Sequence, residues 1–325
     1  MAMVNETPIV RPRLDPLSLA TEYATVVMLV LISLVFSAIK PHEFVSLKNG
    51  LNLLQQIAPL GLVSLGVTYL LAMKYYDLSI GYVVSLSGVV ATTLFGHGFS
   101  EAGGIIVAII LVGGLVGLLN GSIITFLRVP PLVVTIGTGF ISYGVIYVIT
   151  RGKAVFYGIP AHFGYWGSGT IWVVPVSVIV FGVIFAVSYI VLERSALGRF
   201  MYAIGNNEVA ASVSGINVKR IKLVGFLLCS VFSCLAGILL ASENMVGHTT
   251  AGDRYLLLSL AAAYLGTSVF RKGEGNIWGT LVGVLILGVA YNGMTMIAMP
   301  YTLREVITGT ILIVALALSG TGKRR

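Results

Sequence analysis

Asp77 is the residue whose type and position most strongly suggest chemistry. It lies in the stretch LAMKYYDLSIGYVVSLSG, between two apolar runs that are separated by almost no loop. A carboxylate at the centre of a bilayer costs roughly 2.5–3.5 kcal/mol on insertion scales, so its charge needs compensation. Asp77 either caps a helix that begins at Leu78 or pairs with Lys74, and the two are compatible. Direct contact with a substrate is the remaining alternative.

Other polar or small side chains on the apolar runs have two interpretations, as groups that line a solute path or as groups that pack helices. An amide or hydroxyl inside a bundle often forms a hydrogen bond between helices, and a path for polar solutes needs the same groups. We expect that Ser79, Gly81, Asn120 and Asn292 form, with Asp77, part of a pathway or a structural junction. Further polar candidates are Asn52, Gln55, Gln56 and Tyr264.

Motifs for catalysis, metal binding and phosphate binding are missing from the sequence. The Gly-Lys pair in SGTGKRR lacks the earlier glycine and the following Ser or Thr of a phosphate-binding loop. No HExxH pattern occurs, and Cys229 and Cys234 lie in one apolar run, where we expect them to be small packing residues. We therefore expect no catalytic residue, no metal and no cofactor on this chain. Uphill transport would need energy from a partner.

The segment 193–222 is charged and contains no membrane-length apolar run. Asn206 and Asn207 are suitable N-caps, and Glu208 then lies in the first turn, where the helix dipole favours an acid. Ser214 and Gly215 can end this short helix, and Asn217 can cap the next one. A helix of under three turns needs packing to hold it. It packs on its own membrane face or docks into a soluble partner.

The elements that position these residues are membrane helices, because 57% of the residues are hydrophobic and only 10% are charged. A mean hydropathy of +0.98 indicates an integral membrane protein of the all-α, polytopic class. The net charge of +8 then reflects membrane topology and does not indicate nucleic-acid binding. The apolar runs, and hence the predicted transmembrane helices, fall at about 22–39, 56–73, 79–96, 105–127, 131–150, 170–192, 222–242, 256–270, 277–298 and 302–319.

The distribution of Lys and Arg predicts the orientation of these ten spans. With the N-terminus inside, fourteen of the 20 basic residues fall on inner segments, which is the usual bias towards the cytoplasm. We therefore expect a cytoplasmic tail at 1–21, one membrane domain at 22–320 with a cytoplasmic loop at 193–222, and a basic cytoplasmic tail at 321–325.

Glycines recur every four residues at Gly113, Gly117 and Gly121, and again at Gly279 and Gly283. Such spacing lets helix backbones approach closely in lipid. We interpret these stripes as packing within the chain, with a subunit interface as the alternative for one of them.

Five stretches of the chain resemble the permease subunits of bacterial ATP-binding-cassette importers of the ribose or simple-sugar type. The most specific is ALGRFMYAIGNNEVAASVSGINVKRIK; the others are YDLSIG, GLLNGSIITFLRVPPLVVTIGT, and the pair YLGTSVF and NIWGTLVGVLILGVAYNG. The resemblance implies a ten-helix, type II importer-like permease with a weak inverted repeat, in which DLSIGYVVSLSG and GDRYLLLSLAAAYLG are the corresponding pieces.

The same resemblance implies the partners and the coupling site. The permease would sit in the bacterial inner membrane as a homodimer or heterodimer, with two cytoplasmic ATPase subunits that bind ATP and Mg²⁺ and a periplasmic solute-binding protein. The helix Asn207 to Ser214 would enter a cleft of the ATPase and transmit its closure. The coupling residues implied are Asn206, Asn207, Glu208, Ala210, Ala211, Ser214 and Gly215.

The chain departs from the family pattern at three places. Lys74-Tyr75-Tyr76 replaces two glycines, Arg271-Lys272 replaces a Gly-Gly pair, and 255–258 lacks an acidic pair. These changes concern the lining of the path and the identity of the substrate. A stand-alone secondary transporter or channel for a small polar solute is the alternative function.

Overall fold

The computed structural model describes residues 24–270 and 273–321, and within these ranges the protein is built almost entirely of helices. The predicted tail at 1–21, residues 22 and 23, the Arg271-Lys272 pair and residues 322–325 lie outside the described residues. In chain order, the helices are α1 (Ala24–Ile39), α2 (Pro41–Phe44), α3 (Leu47–Ala72), α4 (Ile80–Gly96), α5 (Glu101–Phe126), α6 (Pro131–Thr150), α7 (Gly164–Ser168), α8 (Val176–Arg194), α9 (Ala196–Asn206), α10 (Glu208–Val213), α11 (Val218–Asn244), α12 (Asp253–Gly266), α13 (Ile277–Met296) and α14 (Tyr301–Thr321). A single turn of 3₁₀ helix (Ala161–Phe163) and a two-stranded antiparallel hairpin, β1 (Thr170–Ile171) and β2 (Val174–Pro175), precede α8.

Each of the ten predicted apolar runs coincides with one of the helices of 14 residues or more, so the all-α, polytopic fold is confirmed. Among the described residues, six of these helices have the length and composition needed to cross a membrane. α5 and α8 each contain a stretch of π-helix, at Ile109–Gly114 and Ile190–Arg194.

Polar capping residues explain several helix starts. The Ser46 hydroxyl accepts a hydrogen bond from the Asn49 amide at the start of α3, with a distance of 3.2 Å. The Asn276 side chain accepts one from the Gly279 amide at the start of α13, at 2.7 Å. These side chains satisfy amides that have no partner within the helix.

α3 and α11 form the centre of the bundle. Of the most apolar 18-residue stretch of α3, 83% is buried inside the bundle. Only 28% of the corresponding stretch is buried in α6 and in α8. The outer helices α5, α6 and α8 therefore present long apolar faces, and the inner helices pack against one another. Such an arrangement suits a chain whose outer surface meets lipid, where spanning helices must be apolar on the exposed side.

Glycines allow the closest helix approaches in this bundle. A Cβ atom on Gly117 of α5 would lie 2.8 Å from the Cα atom of Leu227 in α11. One on Gly121 would lie 3.2 Å from the Cα atom of Leu223, and one on Gly283 would meet the backbone of Ala262 in α12. Both glycine stripes thus pack within the chain, as predicted.

α4 and α12 meet near their N-terminal ends. Gly81 and Gly252 are in close backbone contact, and the Ser85 hydroxyl accepts a hydrogen bond of 2.9 Å from the Gly252 amide. The chain between α11 and α12 runs alongside α4, because Gly247 lies against Gly88 and Thr92. These are the two pieces expected to correspond in an inverted repeat, and the repeat itself stays a prediction.

Candidate functional site

The short helix α10 is set between two capped bends. The Asn207 side chain accepts a hydrogen bond of 3.0 Å from the Ala210 amide, and Gly215 turns the chain with φ +86°. Asn217 caps α11 by accepting a 3.1 Å hydrogen bond from the Arg220 amide. The bounds Glu208–Val213 are one residue inside the predicted helix at each end. Positive φ is costly for most residues and easy for glycine, which explains Gly215 at this position.

The prediction that Asn206 as well as Asn207 caps the short helix is wrong for Asn206. It is the last residue of α9, and its side-chain amide donates to the Glu274 carboxylate at 3.2 Å. The cap position belongs to Asn207, whose extended backbone (φ −157°) suits an N-cap.

α10 exposes an apolar face. The side chains of Val209 and Val213 are 74% and 85% exposed, whereas Ala211 is buried against the bundle. The two valines are one turn apart, so they project from the same side of the helix. An exposed apolar pair of this kind is suited to contact with a protein partner.

The Glu208 carboxylate connects α10 to two other elements. The Lys222 ammonium of α11 lies 2.6 Å from Oε1, and the Tyr75 hydroxyl donates to Oε2 at 2.8 Å. The Lys222 Nζ atom also lies 4.8 Å from the centre of the Tyr75 ring. Burial opposes ionisation of Glu208, but the hydrogen bonds from Lys222 and Tyr75 outweigh it and hold its pKa below the usual range. We call these three residues the Glu208 clamp.

A groove of about 750 Å³ lies beside the Glu208 clamp. It runs between α10, the start of α11 and the turn that joins α5 to α6. Basic and apolar side chains share its walls, including Arg128, Val129, Val213 and Lys219. The groove and the exposed valines form one continuous end surface of the molecule.

Asp77 lies at the start of α4, buried to 1% exposure. Its Oδ1 atom accepts hydrogen bonds from the Ser79 amide at 2.7 Å and from the Ser79 hydroxyl at 2.6 Å. The Asn120 amide of α5 donates to Oδ2 at 3.1 Å and to the Ser79 hydroxyl at 3.0 Å. Three of the predicted junction residues therefore meet in one hydrogen-bonded cluster that joins α4 to α5.

Two details of the Asp77 prediction are wrong. The helix begins at Ile80, not at Leu78, because Ser79 occupies the N-cap position and Asp77 bonds the Ser79 amide in a tight local turn. Among the described residues no ion pair joins Asp77 to Lys74, whose side chain is exposed. Local hydrogen bonds to the carboxylate replace the expected charge pairing.

The other predicted path residues lie elsewhere. Asn292 of α13 and Asn49 of α3 exchange two side-chain hydrogen bonds of 3.1 Å each, which is the helix-packing interpretation of Asn292. Gly81 is at the close contact with Gly252, and Tyr264 stacks on Tyr76 with ring centres 6.0 Å apart. Within the described residues no side-chain hydrogen bond joins Asn292 or Tyr264 to Asp77, Ser79 or Asn120, although Tyr76 directly precedes Asp77 in the chain.

Cys229 and Cys234 are both free and buried, so their prediction as packing residues is confirmed. Within residues 24–270 and 273–321 no group of three or more His, Cys, Asp or Glu side chains could hold a metal ion.

Comparisons with known proteins define the class of membrane protein to which this chain belongs. The family described as "Branched-chain amino acid transport system / permease component" matches residues 49–316. The chain belongs to this family and is a non-catalytic permease subunit of the ATP-binding-cassette importer class.

The individual relatives narrow the resemblance to sugar permeases. The chain is 32% identical over 300 residues to the ribose import permease protein RbsC of Escherichia coli strain K12, covering 91% of this chain and 92% of the relative. It is 29% identical over 297 residues to the D-allose transport system permease protein AlsC of the same organism, covering 91% of each chain. It is 32% identical over 310 residues to the galactose/methyl galactoside import permease protein MglC of Salmonella typhimurium strain LT2, covering 90% of this chain and 92% of the relative. No solved structure matches the chain. The predicted resemblance to simple-sugar permeases is confirmed.

Proposed function

We propose that this chain is the membrane subunit of an ATP-driven, binding-protein-dependent importer of a monosaccharide or similar polyol. The relatives named for ribose, allose and galactose support this substrate class. The complex would contain two ATPase subunits, which bind ATP and Mg²⁺, a solute-binding protein and a second permease copy. In a bacterial inner membrane, both termini and the 193–222 loop would be cytoplasmic.

The observation that carries the coupling role is the surface of α10. Val209 and Val213 are exposed on a helix that the Glu208 clamp ties to α11 and to the linker before α4. Closure of an ATPase on this surface would push α10, and the clamp would pass that movement to Tyr75. Tyr75 is two residues before Asp77, so a movement of Tyr75 would reach the junction of α4 with α5 through the backbone.

This arrangement gives the predicted residues distinct roles. Asn207 and Gly215 define the ends of α10, with Ser214 next to the turn, and Ala211 anchors the helix in the bundle. Val209 and Val213 contact the ATPase, beside Ala210. Asp77, Ser79 and Asn120 form a structural junction that holds the start of α4. Gly81 and Asn292 have packing roles, at α12 and α3 respectively.

Coupling is tested by charge substitution on the exposed face of α10. In membranes containing the full complex, Val213→Asp should abolish sugar uptake and binding-protein-stimulated ATP hydrolysis, while the chain still inserts. Val45→Asp is the matched control, because Val45 is 69% exposed in the turn between α2 and α3. Normal uptake by Val213→Asp would refute the coupling surface. Uptake by the purified chain alone in liposomes would instead favour a stand-alone transporter.

A further inference from the structure

A second polar region lies at the end of the molecule opposite to α10. α11 begins beside α10 and has 27 residues, so its last turn is about 40 Å away along the helix axis. Between this last turn, α3 and the helices α12 to α14 lies a cavity of about 340 Å³. This volume is within the range of pockets for small molecules. Its polar and aromatic lining includes Gln56, Glu243, Arg254, Tyr291, Thr295 and Arg304.

One side of this cavity is a stack of rings and guanidinium groups. The guanidinium carbons of Arg254 and Arg304 lie 4.7 and 5.1 Å from the centre of the Tyr291 ring. Glu305 forms an ion pair with Arg254 at 3.0 Å, and Arg304 donates to the Thr295 hydroxyl at 2.9 Å. These contacts hold the cationic groups in place, which lowers the entropy lost when a ligand binds.

Gln56 and Glu243 line the same cavity without a partner. Neither side chain forms a hydrogen bond or an ion pair with any other residue in the described ranges, although Gln55 donates to the Gly167 carbonyl at 3.1 Å. Gln56 is exposed, in the first half of the membrane-length helix α3. A partly buried carboxylate without a hydrogen-bond partner is costly, so Glu243, and Gln56 on the same cavity, would be satisfied by water or a polar ligand.

The combination fits a neutral, polyhydroxylated ligand. Aromatic rings can pack against the C–H face of a sugar, while the amide, the carboxylate and the guanidinium groups bond its hydroxyls. We propose that this cavity is a low-affinity subsite for the transported monosaccharide, at the end of the molecule opposite to the ATPase surface. The inference rests on the proposed import function and identifies where this chain meets its solute.

The test uses cysteine accessibility, because Cys229 and Cys234 are buried and should react slowly. In the full chain in membranes, Gln56→Cys and Glu243→Cys should react with a charged, membrane-impermeant thiosulfonate. At about 50 mM D-ribose, D-allose or D-galactose, a site of millimolar affinity is mostly occupied, so at least one sugar should slow labelling roughly tenfold. D-ribose should not slow the reaction of the reagent with free cysteine.

Gln55→Cys is the matched control, since Gln55 is one residue away and does not line the cavity. If Glu243→Cys fails to insert, Thr295→Cys replaces it at the same cavity. The proposal is overturned if the cavity positions are labelled as slowly as Gln55→Cys. It is also overturned if they are labelled fast and none of the three sugars slows the labelling.

Sugar uptake by the wild-type complex is measured in parallel and separates the two claims. Uptake without protection refutes the subsite alone. Protection without ATP-dependent uptake supports the subsite and refutes the import function.

Discussion

Replacing Glu208 by Gln removes the charge that holds α10 to the bundle. The Lys222 side chain is only 9% exposed and would lose its carboxylate, whereas the Glu208 side chain is 45% exposed. Breaking a buried ion pair costs about 3–5 kcal/mol, and an exposed one about 0–1 kcal/mol. For this half-exposed pair we expect about 1–2 kcal/mol. Because 1.4 kcal/mol is a factor of ten in an equilibrium constant, undocking of α10 should become roughly tenfold more frequent.

Amide hydrogen exchange of the peptide 206–217 measures this change. Undocking and fraying of α10 would expose the Ala211, Ser214 and Ile216 amides, which donate to backbone carbonyls of the same segment. Their exchange should accelerate about tenfold in Glu208→Gln, with peptides from the centre of α3 unchanged as the internal control.

A double-mutant cycle distinguishes the ion pair from general loosening. If Glu208 and Lys222 act as a pair, Glu208→Gln combined with Lys222→Met should exchange little faster than either single variant. An unchanged exchange rate in Glu208→Gln, or fully additive effects in the double variant, would refute the clamp.

Three further outcomes follow from contacts elsewhere in the structure. Asn292→Leu leaves the Asn49 side-chain amide buried without its partner and should lower the free energy of unfolding by about 1–3 kcal/mol. Replacing both asparagines by Leu should recover part of that loss. Thermal unfolding in detergent measures both variants. Gly237→Val should prevent correct packing, because a Cβ atom there collides with the α4 backbone, whereas Gly50→Ala meets no atom within 4 Å; the yield of monodisperse protein compares them. Burial raises the pKa of Glu208, but the hydrogen bonds from Lys222 and Tyr75 outweigh burial and hold the pKa below the ordinary value of 4.5. The ionised carboxylate therefore stabilises docked α10 fully above pH 4.5. This contribution is lost as the pH falls through the pKa of the folded protein. Exchange of α10, corrected for intrinsic rates, should thus be constant between about pH 7 and pH 5 and accelerate below about 4.5; acceleration near neutral pH would contradict this.

The predictions that rest on neighbouring residues agree closely with the structure. Apolar runs predict the long helices because a membrane-spanning segment satisfies its backbone hydrogen bonds internally. Asn207 and Gly215 predict the ends of α10 because caps act within a few residues of the amides they satisfy. The start of α4 was misplaced by two residues, since an Asp and a Ser in Asp77-Leu78-Ser79 offer competing local hydrogen bonds.

The sequence alone determined the membrane class, the positions of the ten long helices and the capped short helix, because apolar length and local capping are properties of adjacent residues. Only the tertiary structure decided which distant groups meet. Tyr75 and Lys222 bind the same Glu208 carboxylate from elements far apart in the chain. Asn292 forms hydrogen bonds with Asn49 and does not line a solute path. The cavity with Gln56, Glu243 and Arg254 likewise draws on separate helices. Helix packing sets these contacts through the shapes of many side chains at once, and no spacing along the chain encodes them.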